Sequence, residues 1–154
     1  MSEAKQEKYQ RIYEQLVPLM EKTRDLNARM ATIVALLHNK FNNYFWTGFY
    51  FVHPENMTVG VYQGSVACLT LPKPKGICWD SVLTEKPIIV PDVNEYSNHI
   101  ACDARSKSEI VIPVQNNEGN VFAVLDVDSD KINAFDEIDR EFLTKIITDF
   151  ISNV

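Results

Sequence analysis

The apolar positions of this 154-residue chain change period twice, and the changes divide it into helical ends and an extended middle. Over the first forty residues the spacing is helical. Tyr9, Ile12, Tyr13, Leu16, Leu19 and Met20 share one face of an N-terminal helix within residues 1–25, which Pro18 kinks or ends in its last turn. A second helix is expected from about Asn27 to Lys40, with Met30, Ile33, Val34, Leu36 and Leu37 as its apolar stripe. From Tyr44 the pattern becomes that of strands. Phe45 to Val52 is rich in aromatics, and the turn His53-Pro54-Glu55-Asn56 separates it from Thr58 to Tyr62, which predicts a hairpin.

A long irregular region follows from Gln63 to Glu109, with one short helix near Trp79–Thr84 and a short strand Pro87–Val90. Loops of that length in a small domain are usually functional or disordered, and the apolar residues in this one argue for function. A second hairpin is expected from Glu109–Val114, the turn Asn116–Gly119 and Val121–Asp128. The last helix starts near Asp136 and aligns Ile138, Phe142, Leu143, Ile146, Ile147, Phe150 and Ile151. This order predicts one α/β (α+β) domain over residues 1–154. Its central, mainly antiparallel sheet carries helices on one face and the loops of the 63–109 region over the other.

Composition narrows the function. Hydrophobic content of 45% and charged content of 23% are those of an ordinary globular protein. A net charge of −6 argues against nucleic acid, whose binding needs a basic footprint. No apolar run reaches the ~20 residues that span a bilayer, so no membrane partner is expected. The mixed-charge N-terminus lacks the apolar core of a secretory signal. Three cysteines, an odd number, fit the reducing cytoplasm better than a disulfide framework.

Those cysteines are the candidate chemistry. Cys102 lies in the loop His99-Ile100-Ala101-Cys102-Asp103-Ala104, where His99, Arg105 and Lys107 favour a thiolate and Asp103 opposes it; reactive and inert readings both stand. Cys68 sits in an apolar context that suits a structural cysteine. Cys78 follows Gly76-Ile77 at the start of the expected short helix. A zinc site of three cysteines with His99 lacks the short Cys-x2–4-Cys pair, so no metal is expected. Asp126 and Asp128, two apart on a strand, point to one face and suit a cationic group or acid–base work, or a solvated strand end. Glu109 alone reads as a surface charge. Trp46 and Tyr50 also share a strand face, as core or as pocket wall.

Taken together, Trp46-x-Gly48-Phe49-Tyr50, Gln63-Gly64-x-x-Ala67-Cys68, Gly76-Ile77-Cys78, His99-Ile100-Ala101-Cys102-Asp103, Ser108-Glu109-Ile110-Val111-x-Pro113 and Leu125-Asp126-Val127-Asp128-Ser129 resemble the free methionine-(R)-sulfoxide reductases, a family built on the GAF domain. The resemblance runs from about Leu26 to the C-terminal helix and implies a single GAF domain. It implies that Cys102 is the catalytic thiol, Cys68 the principal resolving thiol and Cys78 an auxiliary one. Trp46 and Tyr50 would wall the pocket at the sulfoxide methyl end. Glu109, Asp126 and Asp128 would bind free methionine-(R)-sulfoxide through its ammonium group and sulfoxide region. The resemblance further implies recycling by thioredoxin or a similar dithiol, often as a homodimer, with no cofactor. The chain departs from the family pattern at Pro74 and Trp79, where glycines are common, and at Asn98 before His99. The first two should stiffen and fill the loop around Cys78.

The expected chemistry is attack of the Cys102 thiolate on the sulfoxide sulfur, with Glu109 or Asp126 supplying the proton to the departing oxygen. A sulfenic acid then condenses to a disulfide. The alternatives are a non-catalytic GAF sensor of a small ligand and a thiol redox sensor. The three acids count against a cyclic nucleotide, whose phosphate they would repel.

Overall fold

The computed structural model describes residues 2–154. Helices α1 (Ser2–Met20) and α2 (Leu26–Lys40) lead into strands β1 (Trp46–Val52), β2 (Asn56–Gln63) and β3 (Thr70–Pro72). Helix α3 (Ile77–Thr84), strand β4 (Ile88–Val90) and a 3-10 turn (Val93–Glu95) follow. Strands β5 (Ser108–Gln115) and β6 (Val121–Ser129) and helix α4 (Glu137–Phe150) complete the chain. The six strands form one sheet in the order β3-β2-β1-β6-β5-β4, and every neighbouring pair is antiparallel.

Strand alternation sorts the sheet into two faces. Phe49 of β1, Ile110, Ile112 and Val114 of β5, and Ala123, Leu125 and Val127 of β6 face α1, α2 and α4, forming the main core. Each large apolar side chain sealed there contributes roughly 1.5–3 kcal/mol. The alternate positions, Trp46, Tyr50, Val111 and Val124, join Cys78 and Trp79 of α3 in a second cluster on the other face. Here the structure refines the expected layering. The three long helices cover one face, but the short α3 lies with the loops over the other.

Pro18 does not end α1, which runs on to Met20; lacking an N–H, it forgoes only the bond to Glu14 O, and the helix then ends, as any helix does, in unpaired carbonyls. Those carbonyls are met by a residue from the next helix. The buried Arg29 guanidinium donates to Met20 O at the end of α1 and to Phe150 O at the end of α4. The expected short helix begins two residues earlier than its apolar pattern suggested, at Ile77. Strand β3 and the 3-10 turn, both inside the region read as irregular, are elements with no sequence signal. Strand β3 is the simpler case. Its three residues pair only with β2, at the sheet edge.

Candidate active site

The site is built by strand register. Across β1, β6 and β5, Trp46 stands opposite Asp128, and Asp128 opposite Glu109. One step further along, Gly48 faces Asp126 and Asp126 faces Val111. Because side chains alternate, Trp46, Tyr50, Asp126, Asp128 and Glu109 all emerge on the loop face within two rungs of one another. The glycine at position 48 makes this possible. A Cβ there would lie 2.5 Å from Cη2 of Trp46 and would collide with Tyr62 Cβ, so the indole can lie flat over the strand only if position 48 has no side chain. Trp46 is fixed in that place by stacking on Tyr50 and Tyr62, with ring centroids 5.7 and 5.3 Å away, and by donating from Nε1 to Ser65 O at 3.0 Å.

The loops close the pocket from above. Cys102 and Cys68, 34 residues apart, are joined as a disulfide with their Cα atoms 5.5 Å apart. Cys102 is exposed and Cys68 half-buried, so this bond sits at the solvent side of the pocket. The Tyr50 hydroxyl donates to Cys68 O at 3.3 Å, tying the aromatic wall to the cysteine loop. Cys78 is a buried free thiol in the first turn of α3, deeper in the pocket. Of the eight residues singled out in the sequence, seven line one cavity: Trp46, Tyr50, Cys78, Cys102, Glu109, Asp126 and Asp128. Cys68 reaches it through its bond to Cys102.

Electrostatically the floor is unusual. Glu109 and Asp126 are buried, Asp128 is half-buried, and none of the three has a Lys or Arg ion-pair partner among the described residues. Burial, followed by the proximity of Asp126, pushes Glu109 and Asp128 well above the ordinary carboxylate range. Burial raises Asp126 itself to about 6. The Cys78 thiol is pushed well up by burial and then by Asp126 and Glu109. Burial also lowers His99, which therefore stands neutral at pH 7 beside the pocket. A cavity with several carboxylates and no internal cation is prepared for a cationic ligand or for holding protons.

Sequence reading missed the residues that hold the Cys102 loop. Asn98 Nδ2 donates to Asp80 Oδ1 at 2.9 Å and to Gly76 O at 3.2 Å, and Tyr96 donates to Asp80 Oδ2 at 2.6 Å. On the far side of the loop, Arg105 grips Asp103 at 2.8 Å and lies over the Phe45 ring, 4.8 Å from its centroid. That hydrogen-bonded pairing holds the Asp103 carboxyl well below its usual range, as a stable anion. These partners are up to sixty residues apart in sequence, so no local pattern announces them.

The fold and this site define a GAF-domain protein with a thiol centre. The GAF domain family model matches residues 19–150. GAF domain-containing protein A of Dictyostelium discoideum is 43% identical over 94% of this chain and 90% of its own length. The free methionine-R-sulfoxide reductase of Escherichia coli is 33% identical over 78% of this chain and 72% of its own. The X-ray structure of the Neisseria meningitidis free methionine-R-sulfoxide reductase with its substrate superposes with a TM-score of 0.86 at 32% identity, covering 91% of this chain and 84% of that one. The chain belongs to the free methionine-R-sulfoxide reductase family of GAF-domain proteins.

Proposed function

We propose that this protein reduces free methionine-(R)-sulfoxide to methionine through Cys102. The observation that carries the reading is the Cys68–Cys102 disulfide across the mouth of a pocket floored by Glu109, Asp126 and Asp128. In the reduced protein the Cys102 thiolate attacks the sulfoxide sulfur. The sulfur–oxygen bond breaks as the oxygen is transferred and protonated, giving methionine and Cys102 sulfenic acid. The floor carboxyls, raised by burial, hold protons more tightly than free carboxyls do and supply one at the oxygen. The Cys68 thiol then displaces water from the sulfenic acid and forms the disulfide.

Trp46 and Tyr50 supply an apolar wall for the sulfoxide methyl group, and the remaining carboxylate charge receives the α-ammonium group. A residue within a peptide has no such ammonium, which accounts for a preference for the free amino acid. A thioredoxin-type dithiol returns the disulfide to two thiols by exchange, as the exposure of Cys102 permits. A reducing cytoplasm is the compartment that supplies such a dithiol, and no helix among the described residues is long and apolar enough to cross a membrane. A homodimer is the assembly we expect. Sedimentation at several concentrations tests that point.

The test of the activity is direct. The protein is incubated with each sulfoxide epimer and dithiothreitol, and free methionine is measured. Turnover of the R epimer alone is expected, and equal turnover of both, or of neither, sinks the reading.

A further inference from the structure

Cys78 is the one buried nucleophile that neither the disulfide nor the proposed chemistry uses. It comes from α3, whereas Glu109 comes from the start of β5 and Asp126 from the middle of β6. One sulfur and two carboxylate oxygens from these residues all lie within 4.8 Å of one another, and all three side chains are buried. We propose that Cys78, Glu109 and Asp126 form a binding site for a soft divalent cation of the zinc class, and that the ion closes the pocket by taking the place of the substrate's ammonium group. The second half rests on the function proposed above; the first half does not.

Geometry and donor type support the site separately. A tetrahedral zinc ion stands ~2.0–2.3 Å from its oxygen and sulfur ligands, which brings those ligands to about 3.5 Å from one another. From separations of up to 4.8 Å the donors must close by at most about 1.3 Å, a side-chain adjustment. The fourth position then opens into the pocket, toward Asp128 and bulk water.

A further, independent observation lies at Asp126. Its Oδ1 is buried and has no hydrogen-bond partner, on a residue that is only 6% exposed. Such an acceptor is costly to leave unsatisfied, and a cation ligated there satisfies it. The donor set also decides which cation. Calcium takes six to eight oxygens and magnesium retains its waters, whereas a thiolate with two carboxylates favours zinc, cobalt or cadmium. Binding displaces to solvent the protons held by Cys78 and by the raised carboxyls, leaving a divalent ion ligated by one thiolate and two carboxylates, with a net charge of about −1. Soft-metal stress would thereby switch the reductase off without touching Cys102.

The oxidised protein makes the test clean, because with Cys68 and Cys102 bonded Cys78 is the only thiol left. Cobalt(II) is titrated into the full-length disulfide form, and the thiolate-to-cobalt charge-transfer absorption in the near ultraviolet is followed. We expect saturation at one equivalent, displacement by zinc, and no band in Cys78→Ser. Asp126→Asn, which preserves shape and leaves the sulfur in place, should weaken binding roughly tenfold or more. Absence of the band in the unaltered protein, its persistence in Cys78→Ser, or unchanged affinity in Asp126→Asn overturns the site.

The inhibitory half is read in single-turnover reactions of pre-reduced, desalted protein with free methionine-(R)-sulfoxide. Zinc should raise the substrate concentration needed for half-maximal rate and leave the saturating rate unchanged, and chelation should restore the original curve. Cys78→Ser should lose this sensitivity relative to its own zinc-free rate. If the variant stays sensitive, zinc acts on the Cys68 and Cys102 thiols instead and the proposal fails. If the zinc-free protein makes no methionine, the proposed function fails while the cobalt result stands on its own.

Discussion

Asn98 reaches from the loop that carries Cys102 to Asp80, in the helix that carries Cys78, and donates to its carboxylate at 2.9 Å. Tyr96, two residues earlier, donates to the other oxygen of the same carboxylate at 2.6 Å. Asp80 thus holds two points of a loop that otherwise has little regular structure. A partly buried hydrogen bond to a charged acceptor contributes about 1.5 kcal/mol, somewhat less where water competes. Asn98→Ala should lower kcat/KM for the sulfoxide about three- to tenfold, since ~1.4 kcal/mol corresponds to tenfold. Global stability should change little, because the loop lies outside the main core. A thermal scan beside steady-state kinetics checks this, and a loss of melting temperature as large as that of a core variant would refute a positioning role.

Gly48 controls the other wall. A methyl at this position would meet the Trp46 ring and Tyr62 Cβ, neither of which is the free end of a flexible chain. Gly48→Ala should therefore lift the indole from the strand and destabilise the fold by about 1–3 kcal/mol. Substrate KM should rise more than kcat falls, because the methyl end of the substrate loses its wall. Intrinsic tryptophan emission should shift to longer wavelength as Trp46 becomes wetter; an unshifted spectrum with unchanged KM would show that the cavity accommodates the methyl.

What the sequence disclosed and what it withheld follow from how far each signal extends along the chain. The long helices and the two hairpins were legible because their apolar periods persist over many residues, as in Tyr9, Ile12 and Leu16 or Ala123, Leu125 and Val127. Strand β3 was not, since Thr70–Pro72 is too short for a period and gains its identity only by pairing with β2. The shared face of Asp126 and Asp128 was legible from alternation alone. That Glu109 joins them depends on register across β5 and β6, which no single segment encodes. Read locally, Glu109 was a surface charge; in the fold it is buried. The anchoring roles of Asp80 and Asn98 were hidden for the same reason, Asn98 appearing only as a departure from the family pattern, while Arg105, read as support for a thiolate, pairs with Asp103.

The unequal placement of the three sulfurs separates their roles. Cys102 is exposed, Cys68 half-buried and Cys78 sealed beneath them. Cys102→Ser should reduce methionine formation by at least ~10³-fold under any reductant, as loss of a nucleophile does. Cys68→Ser should form one equivalent of methionine and continue to turn over with dithiothreitol, which can reduce the sulfenic acid directly. It should lose thioredoxin-supported turnover, since no disulfide forms for exchange. Mass spectrometry of the thioredoxin reaction distinguishes the outcomes, and retained thioredoxin turnover with a Cys78–Cys102 disulfide would transfer the resolving role to Cys78.

The buried acids set stability against function in a pH-dependent way. Asp126 has its pKa raised by burial from 3.8 to about 6 in the folded protein. The folded state therefore binds this proton more tightly than the unfolded chain does. Its contribution to stability is fully present below pH 3.8, declines as pH rises and is lost above about 6. A shift of that size corresponds to a few kcal/mol, on the order of 1.4 for each pH unit. Asp126→Asn keeps the shape and removes the titration. It should melt at a higher temperature than the unaltered protein at pH 8, with the difference shrinking toward pH 4. The same variant should bind free methionine-(R)-sulfoxide more weakly, because the charge that destabilises the empty pocket is the charge offered to the ammonium group. Thermal melts across pH 4 to pH 8 provide the measurement, with and without substrate. A variant that melts lower than the parent at pH 8 would show that the Asp126 carboxylate is already compensated in the folded protein.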